Sequence, residues 1–174
     1  RYERDLDRFW MPDFRTAWHP AEAVRLAADH LKRLGLGAGT IGVERSFLPV
    51  DASDAVGAAL PDAKFIEAQG VLESLRAQKT PEELQFVREA SERVVESMLA
   101  IIAGHGPGVS KRTLTEALRQ EEVRRGLNFE YCLITAGTNL NRAPTSDQIW
   151  GEGDILSLDS GGNYKGYVGD LCRM

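Results

Sequence analysis

The chain has 174 residues, of which 43% are hydrophobic and 27% charged, and its formal net charge is −5 at pH 7. This composition is typical of a globular protein that contains one full domain or two small ones. The sequence has no basic patch and no apolar run of the ~20 residues that span a membrane, so we expect neither nucleic acid nor membrane as a partner. Cys132 and Cys172 form no Cys-x-x-Cys pair, which favours reduced thiols in a cytoplasmic protein.

The first half of the chain alternates predicted helices with short predicted strands. Apolar residues recur at three- and four-residue steps over residues 20–34, a spacing that buries one face of a helix. Short runs that favour strands cover residues 40–44 and 63–67, and a second helix is predicted between them at residues 52–60. This alternation predicts an α/β unit.

Two helices are predicted next, each with a recognisable start signal. Thr80 can cap the first, and Glu83 completes a capping box with it. That helix is expected to end in the glycine-rich segment 104–108. Ser110 can cap the second helix, which is predicted to run to Arg125. The sequence therefore predicts a helical pair in the middle of the chain.

The last part of the chain is predicted to be β-rich. The expected strands are 130–135, 154–159 and 164–172, with a polar loop at 137–148 and a turn at 160–163. The turn is placed there because glycine and asparagine tolerate positive φ angles. The closing strands would then form an antiparallel hairpin.

Two aspartates, Asp159 and Asp170, lie on the two strands of this hairpin. Because side chains alternate along a strand, Asp159 should point away from Leu158, which is expected to face the helices. Cys172 should share the face of Asp170, and we expect it to be buried by packing. The alternation thus predicts that one polar face carries both carboxylates.

Neighbouring carboxylates repel each other unless a cation lies between them, so this pair is a candidate metal site. Hard oxygen ligands suit manganese, magnesium, zinc or cobalt, and a two-metal site can activate water near neutral pH. The residues also allow a simpler interpretation, in which Asp159 caps the turn and Asp170 is a solvated edge residue.

The hairpin segment 153–173 resembles the first metal-ligand motif of the pita-bread metallopeptidases, the group that contains Xaa-Pro dipeptidase, aminopeptidase P, methionine aminopeptidase and creatinase. Arg76 and the segment 79–84 are similar to the junction between the two domains of that family. The resemblance implies an α/β (α+β) fold. Residues 1–75 would be part of a creatinase-like N-terminal domain, and residues 76–174 would be the first part of a pita-bread catalytic domain.

The resemblance also implies a function, that of a metal-dependent Xaa-Pro dipeptidase or aminopeptidase which hydrolyses peptide bonds with metal-activated water. Asp159 would ligate one metal ion and Asp170 would bridge two, with manganese as the expected metal and cobalt or zinc as alternatives. The family completes its site with a histidine and two glutamates that would lie beyond Met174, so we expect an inactive fragment of a longer protein. A peptide or small amide is the implied substrate, and a homodimer is the implied assembly.

The loop at 137–148 departs from the pattern of the family, whose peptidases carry a substrate-contacting histidine there. This loop has no histidine, and Arg142 lies near the expected position. A guanidinium can hold a carboxylate or an oxyanion but cannot relay a proton. We therefore expect Arg142 to bind a carboxylate-bearing substrate, with pairing to Asp147 or to solvent as the alternative. A creatinase-like amidino hydrolase and a non-catalytic pita-bread binding module also remain open.

Overall fold

The computed structural model describes residues 16–174, and the opening part of the predicted N-terminal domain, residues 1–15, lies outside the described residues. The contacts divide the chain into two units, one that ends at Gln78 and one that begins at Lys79. The elements in chain order are α1 (Pro20–Arg33), β1 (Thr40–Val43), α2 (Val50–Ala59), β2 (Lys64–Glu67), α3 (Gln69–Ala77), α4 (Pro81–Gly104), α5 (Lys111–Arg124), β3 (Asn128–Ala136), β4 (Leu156–Tyr164) and β5 (Tyr167–Arg173).

The first unit contains a pair of parallel strands joined by a helix. Strand β1 pairs with β2 in a register that sets Thr40 opposite Lys64. Parallel neighbours need a crossover connection, which α2 supplies. Helix α1 packs against α2, and buried alanines at Ala28, Ala52 and Ala55 allow close approach. The predicted α/β unit is therefore confirmed.

Helix α3 was not predicted from the sequence. None of its residues is buried, and its apolar side chains Val71 and Leu75 are each 74% exposed. A helix of nine residues is also too short to be stable from its propensity alone. Its apolar residues Val71, Leu72 and Leu75 do recur at helical spacing, so the sequence carried a signal for this helix that the prediction missed.

The start of α4 has the predicted capping box. The Glu83 amide donates to Thr80 Oγ1 at 3.2 Å, and the Thr80 amide donates to Glu83 Oε2 at 2.7 Å. The other Glu83 carboxylate oxygen accepts a hydrogen bond of 2.9 Å from the Tyr167 hydroxyl on β5. These bonds, with that from Thr80 the strongest, lower the pKa of Glu83. The cap therefore also ties the start of α4 to the last strand.

The second unit is a layer of two helices on an antiparallel sheet. The sheet has the strand order β3-β4-β5, and α4 and α5 pack against one of its faces. The core between them consists of Val94, Met98, Ile101, Leu114, Leu118, Leu127, Cys132, Ile134 and Leu158. Leu158 faces the helices as predicted, which turns Asp159 to the opposite face. No helix in the part of the chain that the structure describes is long and apolar enough to cross a membrane.

The turn between β4 and β5 lies at Lys165 and Gly166, so its predicted position at residues 160–163 is wrong. The φ angles are 53° at Lys165 and 93° at Gly166. Tyr164 pairs with Tyr167, which leaves a two-residue loop with positive φ at both positions, as in a type I′ hairpin turn. The hairpin is therefore longer than predicted.

The two glycines expected in the turn lie inside β4, where there is no room for a side chain. A Cβ atom at Gly161 would lie 2.4 Å from the Tyr131 ring. A Cβ atom at Gly162 would lie 2.7 Å from the Leu127 side chain and 2.9 Å from that of Val94. These glycines therefore allow close packing on both faces of the strand instead of a reversal of the chain.

Candidate metal centre

Asp159 on β4 and Asp170 on β5 lie on the same face of the sheet, away from the helices. Asp159 is opposite Cys172, and Asp170 is opposite Gly161. The aspartates are therefore diagonal neighbours, a relation in which residues on adjacent strands are about 7–8 Å apart. Asp159 is partly buried and Asp170 is exposed. The sheet thus brings the two predicted carboxylates together at a surface that ligands can reach.

Tyr131 on β3 links the two aspartates, although the sequence analysis did not single it out. Its hydroxyl donates a short hydrogen bond to Asp170 Oδ1 and lies 3.4 Å from Asp159 Oδ1. The ring reaches β5 by lying over Gly161, its partner in the β3–β4 register. Burial, then the hydrogen bond to Asp170, raises the pKa of Tyr131, so the hydroxyl keeps its proton. Its alternation with the buried Cys132 is the signal that could have placed Tyr131 on this face.

Arg142 contacts the Asp159 carboxylate directly. Its Nη2 atom is 2.5 Å from Asp159 Oδ2, and the two side chains are 57% and 21% exposed. Two hydrogen bonds hold the main chain of the loop. The Arg142 carbonyl accepts from the Ile134 amide at 3.1 Å. The Asn141 carbonyl accepts from the Lys111 ammonium at 2.5 Å. These two bonds place the guanidinium beside the carboxylate pair.

Lys111, which anchors this loop, is a fully buried side chain at the start of α5. Burial lowers the pKa of Lys111 because the charged form loses its hydration. Asp147, which with solvent was the alternative partner for Arg142, instead pairs with Arg112 at 2.8 Å, so the alternative pairing with Asp147 is not observed. The loop therefore has one buried anchor and one exposed ion pair.

Cys172 is exposed, so the prediction that packing buries it is wrong. It lies opposite Asp159 in the register and hence on the face of the sheet opposite α4 and α5. Its Sγ atom is 3.5 Å from the hydroxyl oxygen of Ser157 on the same face. The predicted sharing of a face by Cys172 and Asp170 agrees with this register.

The donor atoms on this face fit part of a site for a hard divalent cation. Asp159 and Asp170 supply carboxylate oxygens, the ligand type that manganese and magnesium prefer. Arg142 offsets only one of the two negative charges, which leaves an electrostatic preference for a further cation. Within residues 16–174, no three His, Cys, Asp or Glu side chains form a group that could hold a metal ion. A complete site would therefore need ligands in addition to this pair.

A helical pair packed on an antiparallel sheet, with two carboxylates on its last hairpin, is the arrangement expected for the first part of a pita-bread domain. Residues 85–174 match the family model for metallopeptidase family M24, and residues 2–78 match the model for the creatinase/prolidase N-terminal domain. The chain belongs to metallopeptidase family M24. The expected fold, a creatinase-like α/β domain followed by the first part of a pita-bread domain, is confirmed.

Similar proteins include several peptidases. The chain is 24% identical over 159 residues to the uncharacterized peptidase YqhT of Bacillus subtilis. This alignment covers 89% of this chain and 44% of that protein. It is 26% identical over 115 residues to the Xaa-Pro aminopeptidase of Escherichia coli, and this alignment covers 64% of this chain and 26% of that protein. The chain thus spans less than half the length of these curated relatives.

Solved structures of the same fold are also similar. The Xaa-Pro dipeptidase from Bacillus anthracis has a TM-score of 0.75 and 28% identity, over 86% of this chain and 42% of that one. The X-Pro aminopeptidase from Thermotoga maritima has a TM-score of 0.77 over 92% of this chain and 45% of that one. Its 19% identity shows a likeness of fold alone.

Proposed function

We propose that the protein to which this chain belongs is an Xaa-Pro dipeptidase or aminopeptidase that uses two divalent metal ions. Membership of family M24 and the likeness to a solved Xaa-Pro dipeptidase support this function. The observation that carries the proposal is the placement of Asp159 and Asp170 on one face, within reach of a single tyrosine hydroxyl. Residues 1–75 would belong to the N-terminal domain, and residues 76–174 would form the first part of the catalytic domain.

Asp159 and Asp170 would hold the metal, with manganese as the expected ion and cobalt or zinc as alternatives. Two bound ions would supply an activated water and a polarised scissile carbonyl. Tyr131 donates to one oxygen of Asp170 and so fixes the orientation of that carboxylate, as partners of metal ligands commonly do. The tyrosine would therefore act through Asp170 and not on the substrate.

Arg142 would bind the substrate. One of its nitrogens contacts Asp159, while a guanidinium has five N–H donors in a planar fork. Because its side chain is 57% exposed, the remaining donors can reach a carboxylate beside the aspartate pair. Its charge is permanent, so it can hold an acidic group or a developing oxyanion without changing its protonation state.

Metal analysis of the complete protein tests the metal site. We expect about two divalent ions per chain at saturating manganese, and fewer in Asp159→Asn and Asp170→Asn, which should also lose Xaa-Pro dipeptide hydrolysis. Asp147→Asn is the matched control, because Asp147 is a carboxylate with its own arginine partner away from the pair. Less than one bound ion per wild-type chain would reject the dinuclear site.

Substitution of Arg142 tests substrate binding. Loss of a charge-assisted hydrogen bond costs about 1.5–3 kcal/mol, so Arg142→Ala should lower kcat/KM roughly 10- to 150-fold. Arg112→Ala is a close control, since Arg112 is equally exposed at 57% and also pairs with one aspartate. If Arg142→Ala left both kcat and KM unchanged, the proposed role would be wrong.

The same assays separate the alternatives. Hydrolysis of creatine by the metal-free protein, without hydrolysis of Xaa-Pro dipeptides, would identify a creatinase-like amidino hydrolase. A folded complete protein that turns over neither substrate with any of the three metals would identify a non-catalytic binding module. Sedimentation of the complete protein tests the homodimer that the family resemblance implies.

A further inference from the structure

A buried glutamate lies directly behind the candidate metal centre. Glu122 on α5 is fully buried against the helix-facing side of β4. The hydroxyl oxygen of Ser160 is 2.7 Å from Glu122 Oε1 and 2.8 Å from the main-chain carbonyl oxygen of Tyr131. The second carboxyl oxygen, Oε2, has no hydrogen-bond partner among residues 16–174. This glutamate is not used by the proposed function.

The two contacts of Ser160 cannot both be made with its own hydrogen. Distances of 2.7–2.8 Å are those of full O–H···O bonds, and a hydroxyl has one hydrogen to donate. The Tyr131 carbonyl can only accept, so Ser160 donates to it. The hydrogen of the other bond must then come from the glutamate. We propose that Glu122 is a neutral carboxylic acid that donates to Ser160 and thereby positions β4 behind the two aspartates.

The surroundings of Glu122 favour the neutral form. The side chains of Val94 on α4 and of Leu127 lie around the same point, next to Gly162. From β3 it is faced by the Cys132 thiol, whose pKa burial raises to about 11 and which is therefore uncharged. Arg93 on α4 pairs with Glu89 of that helix. The arginines near Glu122 pair with other glutamates of α5; they are Arg119 and Arg124 on α5 and Arg125 at its C-cap. Burial without a cationic partner raises the pKa of Glu122.

The hydrogen-bond chain connects this acid to the site. Ser160 is the residue between Asp159 and Gly161, and it bonds to the main chain of the same Tyr131 whose hydroxyl contacts both aspartates. Through Ser160, Glu122 thus fixes β4 against β3 directly beside Asp159. Its role as a positioning residue rests on the proposed metal function, whereas its protonation does not.

Infrared spectroscopy and unfolding experiments on Glu122→Gln test the protonation. The amide keeps the shape and can still donate to Ser160. We expect the wild type to show the carbonyl band of a buried carboxylic acid near neutral pH, and Glu122→Gln to lack it. The unfolded chain releases this proton above a pKa of about 4.3, but the folded chain keeps it. The wild type should therefore lose stability relative to Glu122→Gln as pH rises, by about tenfold in the unfolding equilibrium constant per pH unit up to the folded pKa.

Parallel stability curves for the two proteins, or a wild type without the acid band, would overturn the protonation. The positioning role has a separate readout in manganese binding by the complete protein. Glu122→Leu and Ser160→Ala each break the hydrogen-bonded link from Glu122 through Ser160 to β3, so each should raise the Kd for manganese about tenfold or more. Glu122→Gln should leave this Kd unchanged. Wild-type affinity in a folded Ser160→Ala protein would overturn positioning. A wild type that binds no manganese would instead refute the proposed function.

Discussion

Replacement of Gly161 by alanine tests whether this strand glycine is needed to admit the Tyr131 ring. The new Cβ atom would lie 2.4 Å from Cε1 and 2.8 Å from Cδ1 of the ring, closer than carbon atoms approach without displacement. Gly161 is held in the middle of β4 by pairing on both sides, so the ring must move instead. We expect its hydroxyl to leave Asp170.

The expected loss of stability is the difference of two effects. Forcing an extra carbon into a packed site costs about 1–3 kcal/mol. Alanine is better than glycine in a strand by roughly 0.5–1 kcal/mol, because it restricts the unfolded chain. The hydrogen bond to Asp170 adds little, since Asp170 is exposed. Gly161→Ala should therefore lower the free energy of unfolding by up to about 2.5 kcal/mol.

Urea unfolding of a double-mutant cycle with Tyr131→Ala is the assay. Without the ring there is no clash, so Gly161→Ala should become neutral or stabilising by up to about 1 kcal/mol in that background. Gly104→Ala is the control, because nothing lies within 4 Å of a Cβ atom at this last residue of α4. If the effects of the two substitutions added within about 0.5 kcal/mol, the steric explanation would be refuted.

Three further substitutions have defined outcomes. Tyr131→Phe removes the hydroxyl that contacts both aspartates and should weaken manganese binding about tenfold or more in titration calorimetry, with an unchanged apo fold by circular dichroism. Lys111→Met keeps the buried volume. Because burial lowers the pKa of Lys111, the wild type should gain stability relative to this variant as pH rises toward about 10.4. Urea unfolding at a series of pH values measures this difference. A constant difference across pH would contradict this. Thr80→Ala should cost about 1 kcal/mol of unfolding free energy, and Thr80→Ser, which keeps the capping hydroxyl, should cost little.

Helix starts were predictable because their signals are local. The capping box of Thr80 and the cap by Ser110 involve residues within one turn, so the sequence carries all the partners. The face that Leu158 and Asp159 take was predictable for the same reason, since strand alternation needs no knowledge of distant residues.

The position of the hairpin turn was not predictable from local signals. Gly161 and Gly162 resemble turn residues, but their role depends on Tyr131 and Val94, which are distant in sequence. The actual turn begins with Lys165 at positive φ, where asparagine or glycine is usual. Tertiary packing therefore overrode the composition of the segment.

The candidate site was predictable only in part. The two aspartates follow from strand alternation and from the resemblance to the family, but the contact of Arg142 with Asp159 depends on the path of a loop. That path is fixed by the buried Lys111, whose partner is a main-chain carbonyl and leaves no mark in the sequence. The buried acid Glu122 is likewise invisible, because it lies on a helix rich in exposed charges.

The two-residue turn at Lys165 and Gly166 has a kinetic consequence. It closes a short loop at small entropic cost, and isolated hairpins form in about 1–10 μs. We therefore expect the hairpin that carries Asp159 and Asp170 to form early in folding, while both carboxylates are still hydrated. A divalent ion that binds between them should then speed refolding more than it slows unfolding.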